Sequence, residues 1–303
     1  MTKQLGTAVG CLLLANVIWA GNAFLARYAS GSGLQPLSMN FLRWSIGAAV
    51  LLLFCGKDIY QSRAKWCQKG TIKKLLVLAV LGMVMYNSLL YASAHHTTAI
   101  NIALLNTCIP LATFIATGVF MGQWPKLPAW FGLTIAALGL LYLISQGNMQ
   151  MLQTLSFNQG DLWMLVAVVA WAVYTVLLKM WASTLGLSAF SMLNVLMCMA
   201  VVLMLPLAAW EVASYGLPTL TLTNVGILLY IGIAASIVSY VAWNHGVSQV
   251  GPAKASLALY TMPVFSAILS YVALDEHLQS HHWIGGSIIV LGLLLASFLG
   301  KKN

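Results

Sequence analysis

The sequence predicts an all-α polytopic membrane protein in which ten transmembrane helices form two inverted five-helix repeats. Three observations support this prediction: the composition, the length of the apolar runs, and a pattern that occurs once in each half of the chain. Of the 303 residues, 61% are hydrophobic and 6% are charged, whereas a soluble domain carries roughly 25% charged residues. The chain therefore has too few charged residues to cover a water-facing surface.

Apolar runs of about 20 residues follow one another with short connections, and each can cross a hydrocarbon layer of about 30 Å as a helix. Transmembrane strands would instead alternate polar and apolar residues over segments of about ten residues. The predicted spans, numbered 1 to 10 in chain order, cover residues 6–26, 37–55, 74–94, 98–120, 129–146, 161–181, 187–208, 223–246, 253–274 and 281–300.

The distribution of Lys and Arg predicts the orientation, because these residues prefer the cytoplasmic end of a span. The connection between spans 2 and 3 is strongly basic, and placing it in the cytoplasm puts both termini there as well. Twelve of the fourteen basic residues then lie inside: Lys3, Lys57, Arg63, Lys65, Lys69, Lys73, Lys74, Lys126, Lys179, Lys254, Lys301 and Lys302. Four of the five acidic residues lie outside: Asp161, Glu211, Asp275 and Glu276. This asymmetry accounts for most of the net charge of +9, so we expect a multi-pass protein of the inner membrane with lipid, and no nucleic acid, as a partner.

A sequence pattern recurs at a nearly constant offset. Trp19–Arg27 aligns with Trp171–Lys179 at an offset of 152. At an offset of 153, further pairs align: Pro110 with Pro263, Trp130 with Trp283, Gly132 with Gly285, and Gly139 with Gly292. Since five is an odd number, the second unit of five spans enters the membrane from the opposite side. We predict a first repeat at 1–146, a linker at 147–160 and a second repeat at 161–303, an architecture that many secondary transporters share.

The same residues carry a family resemblance over nearly the whole chain. The second-half segment ALYTMPVFSAILSYVALDEHLQSHHWIGGSIIVLGLLL, with Pro263, Glu276, Gly285 and Gly292, resembles the EamA branch of the drug/metabolite transporter superfamily. The first-half segment LLYASAHHTTAINIALLNTCIPL is similar to spans 3 and 4 of that family, although Gln123 stands where its first repeat usually has Glu. The resemblance implies export of small metabolites, amino acids among them, through a central cavity lined by spans 1, 3, 4, 6, 8 and 9.

Polar and aromatic residues deep in the spans predict a binding site, because such groups usually face protein or a water-filled cavity. At about 100° per residue, Asn16, Trp19 and Asn22 share one face of span 1, and a second polar face occurs on span 8. Deep aromatic rings with scattered amides are typical of small-molecule sites, although a hydrogen bond between helices explains any single amide equally well. The predicted substrate-binding residues are Trp19, Asn22, Tyr86, Asn87, Tyr91, Trp171, Tyr174, Tyr240, Trp243, Asn244 and Tyr260.

Other residues have more than one interpretation. Pro110 and Pro263 lie inside spans, where a proline bends a helix, so each is either a static bend or a hinge. Arg43 lies about six residues into span 2, and we expect its side chain to extend toward the membrane surface in a structural role. Arg27 is expected to complement the dipole at the end of its helix.

The sequence disfavours the competing classes of function. It contains no H-E-x-x-H or G-x-S-x-G motif, so we expect no enzyme activity. A membrane-embedded sensor or scaffold would normally carry a soluble output domain, and the connections are short. We expect no cofactor and no bound metal, since His277 and His281 fit a surface cluster better than a metal site. The spans lack a deep carboxylate, which predicts transport down the gradient of the solute, or exchange. We expect the protein to be a monomer or a weak dimer.

Overall fold

The computed structural model describes residues 2–29, 32–97, 102, 105–106, 108–148, 150, 158–265, 268 and 279–298. The regular structure of these residues is entirely helical. Ten helices correspond to the ten predicted spans: α1 Thr2–Ala29, α2 Pro36–Gln61, α3 Lys69–Ser93, α4 Cys108–Met121, α5 Leu127–Ile144, α6 Gln159–Trp181, α7 Ala189–Tyr215, α8 Leu222–Val250, α9 Pro252–Leu257 with the 3-10 turn Ala258–Thr261, and α10 Ser280–Phe298. The prediction of an all-α fold is confirmed.

Helix length and hydropathy agree with a membrane location. Within the described part of the chain, six helices are long and apolar enough to cross a membrane: α1, α2, α3, α6, α7 and α8. The helices α4, α5 and α10 are apolar but shorter. The chain is therefore a multi-pass membrane protein. Several residues of the sequence analysis lie outside the described residues: Asp275, Glu276, His277, Lys301, Lys302 and most of the 147–160 linker.

The two halves of the chain are related by a two-fold axis, and the packing of α5 against α10 shows this directly. A Cβ atom on Gly132 would lie 2.4 Å from the backbone nitrogen of Ala296 and 2.6 Å from the carbonyl oxygen of Gly292. A Cβ atom on Gly285 would lie 3.0 Å from the carbonyl oxygen of Gly139. When each residue is replaced by its equivalent in the other repeat, the contact of Gly132 with Gly292 becomes the contact of Gly285 with Gly139, as in a two-fold interface. Since residue numbers rise along one helix as they fall along the other, the helices are antiparallel and the inverted repeat is confirmed.

The helices α2 and α7 are also antiparallel equivalents, and a carboxylate closes each end of this pair. Glu211 accepts two backbone N–H groups at the start of α2, that of Ser38 at 2.6 Å. At the opposite end, Asp58 accepts the hydroxyl groups of Ser188, at 2.8 Å, and Ser191. Asp58 and Glu211 are 153 positions apart, as are Ser38 and Ser191. Each carboxylate thus lies at the N-terminus of the opposite helix, where the helix dipole favours negative charge.

Both α3 and α8 contain a π-helical segment. These segments are Val80–Met85 and Tyr230–Val238, and a shift of 153 carries the first onto the end of the second. A π-helical turn leaves carbonyl groups without the usual partner four residues along the helix, and such turns are frequent at functional sites. The Gly82 carbonyl, for example, accepts the phenol of Tyr240 at 2.9 Å. The π-helical segments therefore direct backbone acceptors toward the interior between the halves.

The α5–α10 crossing leads to a stability prediction. In an ordinary helix, Gly to Ala is favourable by about 1 kcal/mol. Gly132→Ala should instead lower the free energy of unfolding by about 1–3 kcal/mol, because its methyl group would collide with the backbone of α10. Thermal unfolding in detergent measures the difference. Gly10→Ala is the matched control, since a Cβ atom there meets no other atom within 4 Å and the variant should be at least as stable as the parent. Equal stability of the two variants would contradict the described crossing.

Candidate functional site

The predicted aromatic residues meet around Trp171 on α6. Its ring centroid lies 5.4 Å from that of Trp19, 4.7 Å from Tyr86 and 5.3 Å from Tyr174. Tyr240 and Trp243 contact it at 5.7 and 5.8 Å. Most of these rings meet at tilted or edge-to-face angles, the arrangement that aromatic pairs prefer. Trp44, which was not predicted, joins through Tyr240 at 5.3 Å, and we name the set the aromatic cluster: Trp19, Trp44, Tyr86, Trp171, Tyr174, Tyr240 and Trp243.

The cluster forms where it does because the two-fold axis passes through it. Trp19 and Trp171 are equivalent residues of the two repeats, and their rings are in direct contact. Asn87 and Tyr240 are also equivalent, and the Asn87 amide donates to the Tyr240 hydroxyl at 3.2 Å. A residue touches its own equivalent only close to the axis. The inverted repeat therefore places these side chains at the interface of the two halves.

Arg43 lies beside the aromatic cluster and is 1% exposed. Its Nε donates to the Ser236 hydroxyl at 2.6 Å. Its Nη1 donates to Asn87 Oδ1 and to the Tyr91 hydroxyl, both at 2.7 Å. Its Nη2 donates to the Ala235 carbonyl at 3.0 Å. The expectation that Arg43 extends to the membrane surface is wrong, because α3 and α8 supply enough acceptors to hold the guanidinium in the interior.

No carboxylate among the described residues contacts Arg43. The buried Asp161 instead belongs to a capping box with Asn158 at the start of α6, and it accepts the Thr97 hydroxyl at 2.5 Å. The buried Glu211 caps α2, as described above. Both residues lie at the helix ends that were predicted to face outward, but they are bonded to helix N-termini rather than solvated in loops. The positive charge of Arg43 is therefore surrounded by neutral acceptors.

Two amide–phenol pairs, one within each repeat, lie on either side of the Trp19–Trp171 contact. The Tyr91 hydroxyl donates to Asn22 Oδ1 at 3.5 Å, and the Tyr174 hydroxyl donates to Asn244 Oδ1 at 3.4 Å. The inverted repeat makes Asn22 equivalent to Tyr174, and Tyr91 equivalent to Asn244. The first pair joins α1 to α3, and the second joins α6 to α8. Since α1 and α6 are inverted relative to each other, the pairs lie on opposite sides of the axis.

Two indole groups in the cluster have no acceptor among the residues that the structure describes. The Nε1 atoms of Trp171 and Trp243 are buried without a hydrogen-bond partner, although Trp19 Nε1 donates to the Ala235 carbonyl at 3.1 Å. A buried unpaired donor costs about 1–3 kcal/mol. The cluster therefore contains more hydrogen-bond donors than the protein itself uses.

Tyr260 and the two prolines lie apart from this cluster. Tyr260 packs with Phe114 and Leu257 in a second apolar cluster formed with α4, α5 and α10. Pro110 is buried in α4. Pro263 follows the 3-10 turn of α9, where the Ala258 carbonyl accepts the Asn16 amide at 2.5 Å. This bond supports the bend in α9, and a hinge role for either proline stays a prediction.

Sequence reasoning thus named most of the residues that converge, but it missed Arg43, Trp44 and Ser236. Ser236 lies on the same helical face of span 8 as Tyr240 and Trp243, so helical periodicity could have indicated it. A cation inside a span is itself a signal of function. Because the spans contain no deep carboxylate, the sequence offers Arg43 no charged partner. This lack of a partner could have indicated that Arg43 has a special role.

These features define a class: a polytopic helical membrane protein of two inverted repeats, with an aromatic and polar cluster on the axis between them. The EamA-like transporter family matches the sequence twice, over residues 6–145 and 158–298. The chain belongs to this family, and the resemblance noted from the sequence is confirmed.

Similar proteins are named as transporters, which favours a non-enzymatic role. The chain is 27% identical over 288 residues to the uncharacterized transporter YyaM of Bacillus subtilis, covering 94% of this chain and 92% of that one. It is 26% identical to the uncharacterized inner membrane transporter YedA of Escherichia coli K12, covering 99% and 93%. It is 24% identical to a protein of Streptantibioticus cattleyicolor named a "probable terminal-alkyne amino-acid exporter", covering 99% and 97%.

A crystal structure of a protein that is 17% identical in sequence has the same fold. The two superpose with a TM-score of 0.77, and the alignment covers 98% of each chain. At this identity the similarity concerns the fold alone.

The Arg43 network leads to a second stability prediction. Arg43→Ala should lower the free energy of unfolding by about 3 kcal/mol or more, because it removes several buried hydrogen bonds to a charged donor. Arg63→Ala is the control: Arg63 is exposed and contacts the ring and carbonyl of Tyr60, so its loss should change stability by less than about 0.5 kcal/mol. Thermal unfolding of both variants in the same detergent checks this. If Arg43→Ala is as stable as Arg63→Ala, the network contributes little.

Proposed function

We propose that the chain is a secondary transporter of the inner membrane that exports amino acids or related small metabolites by alternating access. The observation that carries the proposal is the contact of equivalent residues, Trp19 with Trp171, inside an aromatic and amide-bearing cluster on the two-fold axis. Inverted-repeat transporters bind their solutes at such an interface. Aromatic walls with a few polar groups suit small organic solutes. The amino-acid exporter among the relatives supports this class of solute.

The solute-binding residues proposed here are those of the aromatic cluster together with the polar residues bonded to it. The latter are Asn22, Arg43, Asn87, Tyr91, Ser236 and Asn244. Tyr260 is left out because it packs in the second apolar cluster. In the described conformation the cluster is buried, so a solute reaches it only after helices separate on one side.

The two amide–phenol pairs supply an alternating mechanism. Separation of Asn22 from Tyr91 opens the site on one side, while the Tyr174–Asn244 pair keeps it closed on the other. The reverse change opens the opposite side. Because the pairs are equivalent in an inverted repeat, opening one side and opening the other are the same motion applied to different halves. The Trp19–Trp171 contact lies between the two pairs, so the bound solute is accessible from one side at a time.

The basic end of the molecule supports a cytoplasmic location for both termini. Lys65 Nζ donates to the Gly186 carbonyl at 3.1 Å, and Lys74 Nζ lies 5.9 Å from the Trp181 ring centroid. The basic connection between α2 and α3 thus packs against the connection between α6 and α7. Positive charge is collected at this end, as expected for a cytoplasmic surface.

Native Cys67 provides a test of this orientation. It is exposed in the basic connection, whereas Cys11, Cys55, Cys108 and Cys198 are half-buried. In intact cells, a membrane-impermeant maleimide should label Cys67 only after the membrane is permeabilised. A Cys67→Ser variant that carries Ser214→Cys, at the opposite end of the molecule, should be labelled without permeabilisation. The reverse pattern would show that the termini face outward.

Transport itself is tested at Trp171. Trp171→Ala should reduce amino-acid exchange in proteoliposomes by about tenfold or more, because it removes the ring that the other aromatic residues contact. Trp210→Ala is the matched control, since Trp210 is 61% exposed on α7 and should retain most of the activity. The assay uses a panel of amino acids with and without a pH gradient, so that it also tests the predicted lack of proton coupling. Equal losses in the two variants would remove the aromatic cluster as the binding site.

A further inference from the structure

We propose that Arg43, with the indole N–H groups of Trp171 and Trp243, binds the carboxylate of the transported solute. The solutes would then be carboxylates that carry an apolar body. This inference rests on the proposed function and narrows it, because molecules of the same shape that lack a carboxylate are excluded.

The first argument is the charge of Arg43. A buried cation is costly unless an anion or several hydrogen bonds compensate it. In the part of the chain that the structure describes, the acceptors around Arg43 are a hydroxyl, a phenol, an amide oxygen and a backbone carbonyl, all of them neutral. One of its five N–H groups, on Nη2, has no acceptor. A bound carboxylate would supply the missing negative charge and would fit the planar fork of a guanidinium.

The second argument is a shared acceptor. The Ala235 carbonyl accepts Arg43 Nη2 at 3.0 Å and Trp19 Nε1 at 3.1 Å. A single neutral oxygen thus holds two donors that come from α2 and α1. Ala235 lies in the π-helical segment of α8, where the helix can rearrange locally. A carboxylate has two oxygens and about four acceptor positions, so it can bind both donors more strongly than one carbonyl can.

The third argument is the surplus of donors around this carbonyl. Trp19 contacts Trp171 and Trp243, each at a centroid distance of 5.4 Å, and the indole N–H groups of the latter two are unpaired and buried. The guanidinium carbon of Arg43 lies 4.7 Å from the centroid of the Trp44 ring, which contacts Tyr240 of the same cluster. The unpaired donors thus belong to rings that contact Trp19, whose own N–H shares the Ala235 carbonyl with Arg43. A ligand rich in acceptors can use these donors, and the surrounding rings favour an apolar body.

A series of ligands with one phenylethyl body tests the charge requirement. The series consists of 3-phenylpropanoate, phenylalanine, phenylalaninamide and 2-phenylethylamine. Binding to the purified protein is measured by tryptophan fluorescence, which these ligands do not obscure. We expect the two carboxylates to bind about tenfold or more tightly than the amide and the amine, the difference that a charge-assisted hydrogen bond gives. Binding of the amine as tightly as the acid, or no carboxylate binding at millimolar concentration, would overturn the proposal.

Three variants locate the carboxylate. Arg43→Lys keeps the charge but loses the fork, and it should weaken 3-phenylpropanoate binding about tenfold. Trp171→Phe and Trp243→Phe each keep a ring but remove an N–H group that the protein does not use. The loss of an unpaired buried N–H group offsets part of the packing that the smaller ring loses, so the unfolding temperature should fall only slightly. Binding of 3-phenylpropanoate should nevertheless weaken several-fold. Trp210→Phe, on the exposed face of α7, should change neither quantity.

The Trp variants decide the question even if Arg43→Lys does not fold. Unchanged carboxylate affinity in both would overturn the proposal. If proteoliposomes exchange amino acids but carboxylate and amide forms compete equally, this inference fails while the transport function stands. If the parent protein exchanges no solute of the panel, the proposed function fails instead.

Discussion

The contact between Trp19 and Trp171 determines where the two halves of the molecule meet. Equivalent residues of an inverted repeat touch only at the axis, so this pair of rings marks the axis within the protein. The neighbouring features follow from it. Asn87 reaches its own equivalent Tyr240, and the two amide–phenol pairs lie at matching positions on either side. The same symmetry relates features farther from the Trp19–Trp171 contact. These are the glycine contacts between α5 and α10 and the two carboxylates that cap α2 and α7.

Arg43 is the main departure from this symmetry. The N-cap residues of α2 and α7, Gln35 and Ser188, are 153 positions apart, and the same offset carries Arg43 to Leu196. One half of the interface therefore contains a charged network and the other an apolar side chain. The network is stable because the π-helical segment of α8 and the amide of Asn87 direct acceptors at the guanidinium. In the proposed site, this charge would favour an anionic ligand, a preference that a purely aromatic pocket would lack.

Much of the fold could be predicted from the sequence because the bilayer limits the possibilities. Span number, helical class and inversion follow from hydrophobic length and from a repeat offset that Trp171 and Gly285 reveal. The polar faces of spans 1 and 8 were also predictable from helical periodicity. The environment of Arg43 was not, because its depth alone does not distinguish a side chain that reaches lipid headgroups from one held by α3 and α8. The packing of Tyr260 in the second apolar cluster was unpredictable for a related reason, because the direction of its side chain depends on the 3-10 turn before Pro263.

In the proposed alternating mechanism, the unequal chemistry around the two amide–phenol pairs has a consequence for the resting state of the molecule. Arg43 joins α2 to α3 and α8 on the Asn22–Tyr91 side, whereas the Tyr174–Asn244 side is closed by neutral groups. Two conformations that differ by a few hydrogen bonds to a charged group are unequally populated. With the termini in the cytoplasm, as proposed, the empty molecule would stay closed toward the exterior and open more readily toward the cell. A carboxylate that reaches Arg43 would compete for the bonds that hold the exterior side shut, so loading from within would itself promote release outside.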